Sequence, residues 1–205
     1  GVAGLHDSSF RVEGDRIVAG TYGAAVVAAG GEALLRGICP SDLKVPLEEF
    51  QKAGAAVDAD EKNRQIRICM GKRPLPLLIK TEPYPGFPTD LQSPFMAFLA
   101  TAQGTSYIEE QVFEGRFATA KILEQMGAVI RTEDQRAVIE GHYPLKGAAV
   151  NACDLRGGAA LMVAALAAEG DTFIGECHHI ERGYEDICRD MAALGAHIRW
   201  VGKDS

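Results

Sequence analysis

Residues 81–117 read TEPYPGFPTDLQSPFMAFLATAQGTSYIEEQVFEGRF. Pro83, Pro85 and Pro88 make a stiff turn that leads into Asp90. Phe95, Met96, Phe98 and Leu99 then form a broadly apolar segment, with Pro94 near its start, where a missing N–H costs a helix little. Gly104 breaks that helix, 106–110 reads as a strand, and Arg116 follows in a Gly-containing turn. Asp90 therefore sits where a helix dipole and free N–H groups favour a carboxylate. On pattern alone it is an N-cap. An Arg at 116, just before the next helix, is in an unfavourable place for a cation, and such conflicts concentrate at functional sites.

The same plan runs three times: apolar helix, Gly, short strand, amphipathic helix, Gly-Ala, strand. Gly31, Gly104 and Gly170 mark the first break, and Gly54-Ala55, Gly127-Ala128 and Gly195-Ala196 the second, at nearly equal spacing. Self-similarity of this kind outranks local signals in deciding a fold. The spans are 15–80, 81–152 and 153–205, with an edge piece at 1–14 whose SSFRVEG is expected as a strand and turn. In the first repeat a buried helix is expected at about 21–29, because apolar residues surround it. An amphipathic helix follows with Leu43, Leu47 and Phe50 on one face, and Ser41 or Asp42 as its cap. Strands are expected at 55–58, 65–69 and 75–80. In the second repeat the amphipathic helix is 118–126, with Ile122, Leu123 and Met126 inward, and strands follow at 128–132, 137–140 and 148–152. In the third, DLRGGAALMVAALAAEG is the buried helix and Ile187, Met191 and Leu194 line the amphipathic one. HIRWV is its one closing strand. That repeat lacks its last strands, and an open sheet needs a partner from elsewhere.

The bulk numbers exclude several classes. A net charge of −7 argues against general nucleic-acid or membrane-surface binding, which needs a basic face. The longest apolar run, 159–168, is too short to span a bilayer. Residues 1–11 lack the basic start and apolar core of a signal peptide, and the chain opens on Gly, as a fragment or processed chain would. The five cysteines, Cys39, Cys69, Cys153, Cys177 and Cys188, are odd in number and form no CxxC pair. They read as packed thiols of a reducing, cytoplasmic protein. Cys177-His178-His179, read as a strand, would point to opposite faces, so no metal site is expected.

Four words in order, PTDLQ, TSYIEEQVFEGRF, DLRGGAAL and HIERGYE, resemble the second half of the UDP-N-acetylglucosamine enolpyruvyl transferase (UDP-N-acetylglucosamine 1-carboxyvinyltransferase) family, within the EPSP synthase-like superfamily. The resemblance implies an inside-out α/β barrel of repeated βαβαββ units, buried helices at the centre and sheets outside. It makes 1–14 the trailing edge of an absent N-terminal domain. It also implies a reaction: transfer of enolpyruvate from phosphoenolpyruvate to the 3′-hydroxyl of UDP-N-acetylglucosamine with release of phosphate. That reaction opens peptidoglycan synthesis and needs no cofactor.

By the same resemblance Asp90 binds and deprotonates the 3′-hydroxyl, with Thr89 beside it. Arg116 lines the site, and Val112 and Phe113 touch the sugar nucleotide. Asp154, Leu155 and Arg156 match the family's DLR, with Asp154 among the catalytic residues, although its position alone is fully explained by helix capping. Arg182 matches the arginine that holds phosphoenolpyruvate. The family's Lys-Asn pair and reactive Cys loop belong to the other domain, so this chain is expected to offer one wall of a cleft and to be inactive alone.

The departures are three. Val18 replaces an acid in the family's R-I-E-A/T-G-T, Gly115 replaces an Asn in E-N-R, and residues 1–7 differ from GVxxLGG. They leave open a non-catalytic ligand-binding paralogue. The shikimate-pathway enolpyruvyl transferase shares the repeat and the chemistry.

Overall fold

The computed structural model describes residues 4–10 and 12–202. Three helices form the centre: α1 (Arg16–Ala29), α3 (Gln92–Leu99) and α5 (Leu155–Leu166), each touching the other two. All of α3 is buried, and so are Ala19–Ala28 of α1 and Gly157–Ala164 of α5. This is the packing that all-round apolar helices require. Phe95 anchors it. Its ring stacks on Phe50 at 4.8 Å, meets Phe87 edge-on at 4.7 Å and lies 4.8 Å from Phe98. Phe50 comes from α2 (Lys44–Lys52), whose Leu47 is also buried.

Sheets wrap the outside. In the first repeat β1 (Gly31–Arg36), β2 (Ala56–Asp60) and β3 (Gln65–Met70) form an antiparallel sheet in the order β1-β3-β2. The tail of that repeat, β4 (Leu78–Lys80), pairs in parallel with β5 (Thr105–Glu109) of the second. β5 then pairs with β7 (Arg136–Glu140), and β7 with β6 (Val129–Glu133). After them β8 (Leu145–Lys146) and β9 (Ala149–Asn151) run parallel to β10 (Ala168–Glu169) and β11 (Phe173–Gly175) of the third repeat. The first and second repeats thus each hand tail strands to the next. The amphipathic helices are α2, α4 (Ala118–Gln125) and, in the third repeat, α6 (His178–Glu181) with α7 (Ile187–Ala193). Gly54, Gly127 and Gly195 end α2, α4 and α7 with φ of +100°, +86° and +98°, a region only Gly enters freely.

Several expectations are corrected. α1 starts earlier than residue 21, because Asp15 caps it. Neither Ser41 nor Asp42 caps α2: a 3-10 turn at Pro40–Leu43 precedes it. The strand expected over 75–80 is only Leu78–Lys80. SSFRVEG forms no strand among its described residues, and Phe10 and Val12 are exposed; Arg11 lies outside the described residues. HIRWV forms no strand either. Ile198 and Trp200 pack on the core and His197 and Arg199 face out, the alternation of a strand without a ladder. In the first two repeats the equivalent strands, β2 and β6, pair with a following arm, β3 and β7, and among the described residues no arm pairs with 197–201. Leu194 is exposed, and the buried residues of α7 are Ile187, Cys188 and Met191.

Candidate functional site

The site lies where the N-termini of α3 and α5 meet the loop between β5 and α4. A 3-10 turn at Thr89–Leu91 carries Asp90 into α3. The turn before it is closed by Gly86 N–H to Pro83 carbonyl (2.8 Å) and Glu82 N–H to Phe87 carbonyl (2.9 Å). Asp90 does not cap the helix: the N-cap position is Leu91, with no side-chain bond. Instead Arg116 Nη2 donates to Asp90 Oδ1 at 2.8 Å, and Arg156 Nε approaches the same oxygen at 3.4 Å. Among the described residues nothing hydrogen-bonds Oδ2. Burial alone would push the Asp90 carboxyl up, but the charge of Arg156 and the hydrogen bond and charge of Arg116 outweigh it, holding the group below its ordinary value. Two guanidiniums face the one carboxylate of Asp90.

Arg116 is fixed from three sides. Its Nη1 donates to Thr89 Oγ1 at 3.0 Å, and its guanidinium lies 5.0 Å from the centre of the Phe113 ring. Gly115 gives the loop its bend with φ +67°, and a Cβ there would meet nothing within 4 Å. Asn is the side chain that best tolerates this region, so Gly for Asn is a swap the backbone absorbs. Val112 and Phe113 expose their side chains, while their N–H groups are already committed to Glu110 Oε1, each at 3.0 Å.

Asp154 is an N-cap: its Oδ1 accepts from Gly157 N–H at 2.7 Å. Cys153, expected to be packed, is exposed; partial burial and the charge of Asp154 raise the thiol above its ordinary value. Leu155 packs on the HIERGYE turn so closely that a Cβ at Gly183 would come within 2.8 Å of its methyl groups. Arg182, at the C-cap of α6, is exposed, and no hydrogen bond or ion pair joins it to the Asp90 cluster among the described residues. Cys177, His178 and His179 begin a short helix rather than a strand, and no group of three His, Cys, Asp or Glu among the described residues is arranged to hold a metal.

Two residues escaped the sequence reading. Tyr184 is buried; its hydroxyl lies 2.8 Å from Thr21 Oγ1 and close to Arg156. Burial raises it, opposed by those two contacts. Glu110 is buried at 1% exposure and touches both halves of the site. Its signal was present: Ser106, Ile108 and, one residue past β5, Glu110 share one inward parity, and an acid at an inward position is abnormal.

The chain belongs to the EPSP synthase (3-phosphoshikimate 1-carboxyvinyltransferase) family, whose model it matches over residues 1–191. It is 42% identical over 202 residues to UDP-N-acetylglucosamine 1-carboxyvinyltransferase of Brucella ovis, and equally to the protein of that name from Brucella canis, covering 98% of this chain and 47% of each relative. The chain thus spans about half the length of the curated relatives it matches. Among solved structures, the enolpyruvyl transferase NikO from Streptomyces tendae superposes with a TM-score of 0.81 at 30% identity, covering 92% of this chain and 44% of that one. EPSP synthase from Acinetobacter baumannii superposes at 0.69 with 20% identity, over 94% of this chain and 45% of its own, a likeness of fold alone. The fold is the inside-out α/β arrangement of these transferases, as the resemblance implied. No helix among the described residues is long and apolar enough to cross a membrane.

Proposed function

We propose that this chain is one wall of a cytoplasmic transferase that moves enolpyruvate from phosphoenolpyruvate to the 3′-hydroxyl of UDP-N-acetylglucosamine, releasing phosphate. That is the step that commits carbon to peptidoglycan. The observation that carries this reading is Asp90, drawn away from helix capping and held by two arginines through one oxygen. Its Oδ2 suits an incoming hydroxyl. As the hydroxyl oxygen bonds C2 of phosphoenolpyruvate, its proton becomes strongly acidic and passes to Asp90 while C3 takes a proton from a general acid; C3 then gives a proton back as the C2–O bond to phosphate breaks, which restores the C2=C3 double bond and releases phosphate. A carboxylate held low takes a proton only in concert with such bond formation. Arg116, Arg156 and Arg182 supply cations for the phosphate and carboxylate of the substrate. Thr89 and the exposed side chains of Val112 and Phe113 border the acceptor, and Asp154 and Leu155 shape the base of the cleft. Three repeats, at about 15–80, 81–152 and 153–205, build this wall, and the upstream domain builds the other.

The test is phosphate release with both substrates, by the chain alone and by the chain joined to an upstream half like that of its relatives. The joined protein is expected to turn over and the chain alone to be silent, since closure of both walls positions the substrates and excludes water. Release that needs shikimate 3-phosphate instead of the sugar nucleotide would assign the other acceptor.

A further inference from the structure

Among the described residues Glu110 is the one acid buried to 1% exposure, and it accepts four hydrogen bonds. Thr81 Oγ1 (2.8 Å), Val112 N–H (3.0 Å) and Phe113 N–H (3.0 Å) donate to Oε1, and Thr89 Oγ1 (2.9 Å) donates to Oε2. Burying a carboxylate costs several kcal/mol unless donors replace its water, and here all four partners are donors. Each threonine is thereby given a direction. Thr81, having donated to Glu110, accepts from Gln111 N–H at 2.8 Å. Thr89, having donated to Glu110, presents a lone pair to Arg116 Nη1 at 3.0 Å. A hydroxyl has a single hydrogen, so this polarity cannot reverse while Glu110 is a carboxylate. Arg116 is then pinned by one nitrogen on Thr89 and aims the other at Asp90.

We propose that Glu110 is a positioning residue: through the one-way relay Arg116 to Thr89 to Glu110 it aims the Arg116 guanidinium at Asp90, and through Val112 and Phe113 it sets the loop carrying Arg116. It touches no reacting atom. The inference deepens the proposed reading, because it assigns the residue that orients the Asp90–Arg116 pair, yet it concerns geometry that exists without substrate.

In E110Q, one carboxylate oxygen becomes an amide NH2. If the amide keeps its oxygen toward Val112 and Phe113, the NH2 faces Thr89. The threonine must then accept from it and turn its own hydrogen elsewhere, and its hold on Arg116 weakens. The readout is the titration midpoint of Asp90, followed by carboxyl 13C NMR, with circular dichroism confirming that the fold persists. Deleting the negative charge of Glu110 would, through space alone, lower the Asp90 midpoint. Loss of Arg116 from Asp90 raises it. The expected result is an upward move toward the ordinary carboxylate value, and a midpoint unchanged or lowered in folded E110Q overturns the proposal. Should E110Q fail to fold, T89V decides: it removes the relay hydroxyl while sparing the Glu110 contacts to Thr81, Val112 and Phe113. The same upward move is expected, T89S restores the original midpoint, and an unchanged midpoint in T89V overturns the relay. Absence of enolpyruvate transfer would defeat the functional reading without touching these titrations.

Discussion

Each of the three buried helices is preceded by an acid, and the three acids do different work. Asp15 accepts from Ile17 N–H at 2.7 Å and Val18 N–H at 3.2 Å, and Asp154 accepts from Gly157 N–H at 2.7 Å. Both are ordinary caps. Asp90, in the middle repeat, accepts from no backbone N–H among the described residues and is held by Arg116 and Arg156. A cap contributes about 1 kcal/mol to a helix, so the middle repeat forgoes that stabilisation. Where one of three equivalent positions abandons the locally best interaction, a requirement other than folding is the simplest cause.

The sharpest way to break this comparison is Asp90→Asn in the protein joined to an upstream half. Turnover is expected to fall by about 10²–10⁴-fold, the loss typical of a general base. Sugar-nucleotide binding should change far less. Near-normal turnover would return Asp90 to the status of its two counterparts. A second test asks what holds α3 in place of a cap. The structure says packing: Phe95 is fully buried among Phe50, Phe87 and Phe98. Phe95→Ala is expected to cost about 3–5 kcal/mol in urea unfolding. A loss below about 1 kcal/mol would mean that the helix start is fixed by something else.

The repeat and the three buried helices were legible because they rest on periodicity, which is local. The closing strand at 197–201 was not: its alternation is real, but a strand also needs a neighbour, and alternation alone does not say whether one pairs with it. The site divides in the same way. Asp90, Arg116 and Arg156 were singled out by motif resemblance, and the structure adds that Asp90 touches both arginines. Capping was the obvious local account of Asp90, and it fails only because Arg116 and Arg156 arrive from other elements. Glu110 announced itself by strand parity, but its four partners come from 81, 89 and 112–113, and such convergence is tertiary. Nothing in the chain pointed to Tyr184 reaching Thr21, which lies in the first repeat.

A smaller effect separates the two acids by stability. Asp154→Ala is expected to lose about 0.5–2 kcal/mol, while Asp154→Asn, which caps equally well, should lose little. An alanine variant as stable as the parent would remove Asp154 from the class of caps.

The smallest effect concerns acid. Asp90 is held below its ordinary value in the folded protein, against burial, by Arg156 and Arg116. A carboxyl lower in the folded than in the unfolded state contributes stability above its unfolded value, near pH 4, and loses it as the pH falls through the folded value. The parent should therefore lose stability between about pH 5 and pH 2 more steeply than Asp90→Asn, which has no proton to bind at that position. The difference should be modest, because the Asp90 side chain is 39% exposed and water screens its partners. Asp154 offers the internal comparison, since its carboxylate faces a backbone N–H rather than two guanidiniums. Melting curves of the parent, Asp90→Asn and Asp154→Asn across that range decide the matter. If Asp90→Asn and the parent fall in parallel, the two arginines do not hold the folded carboxylate in its charged form, and the middle repeat differs from the others in geometry but not in electrostatics.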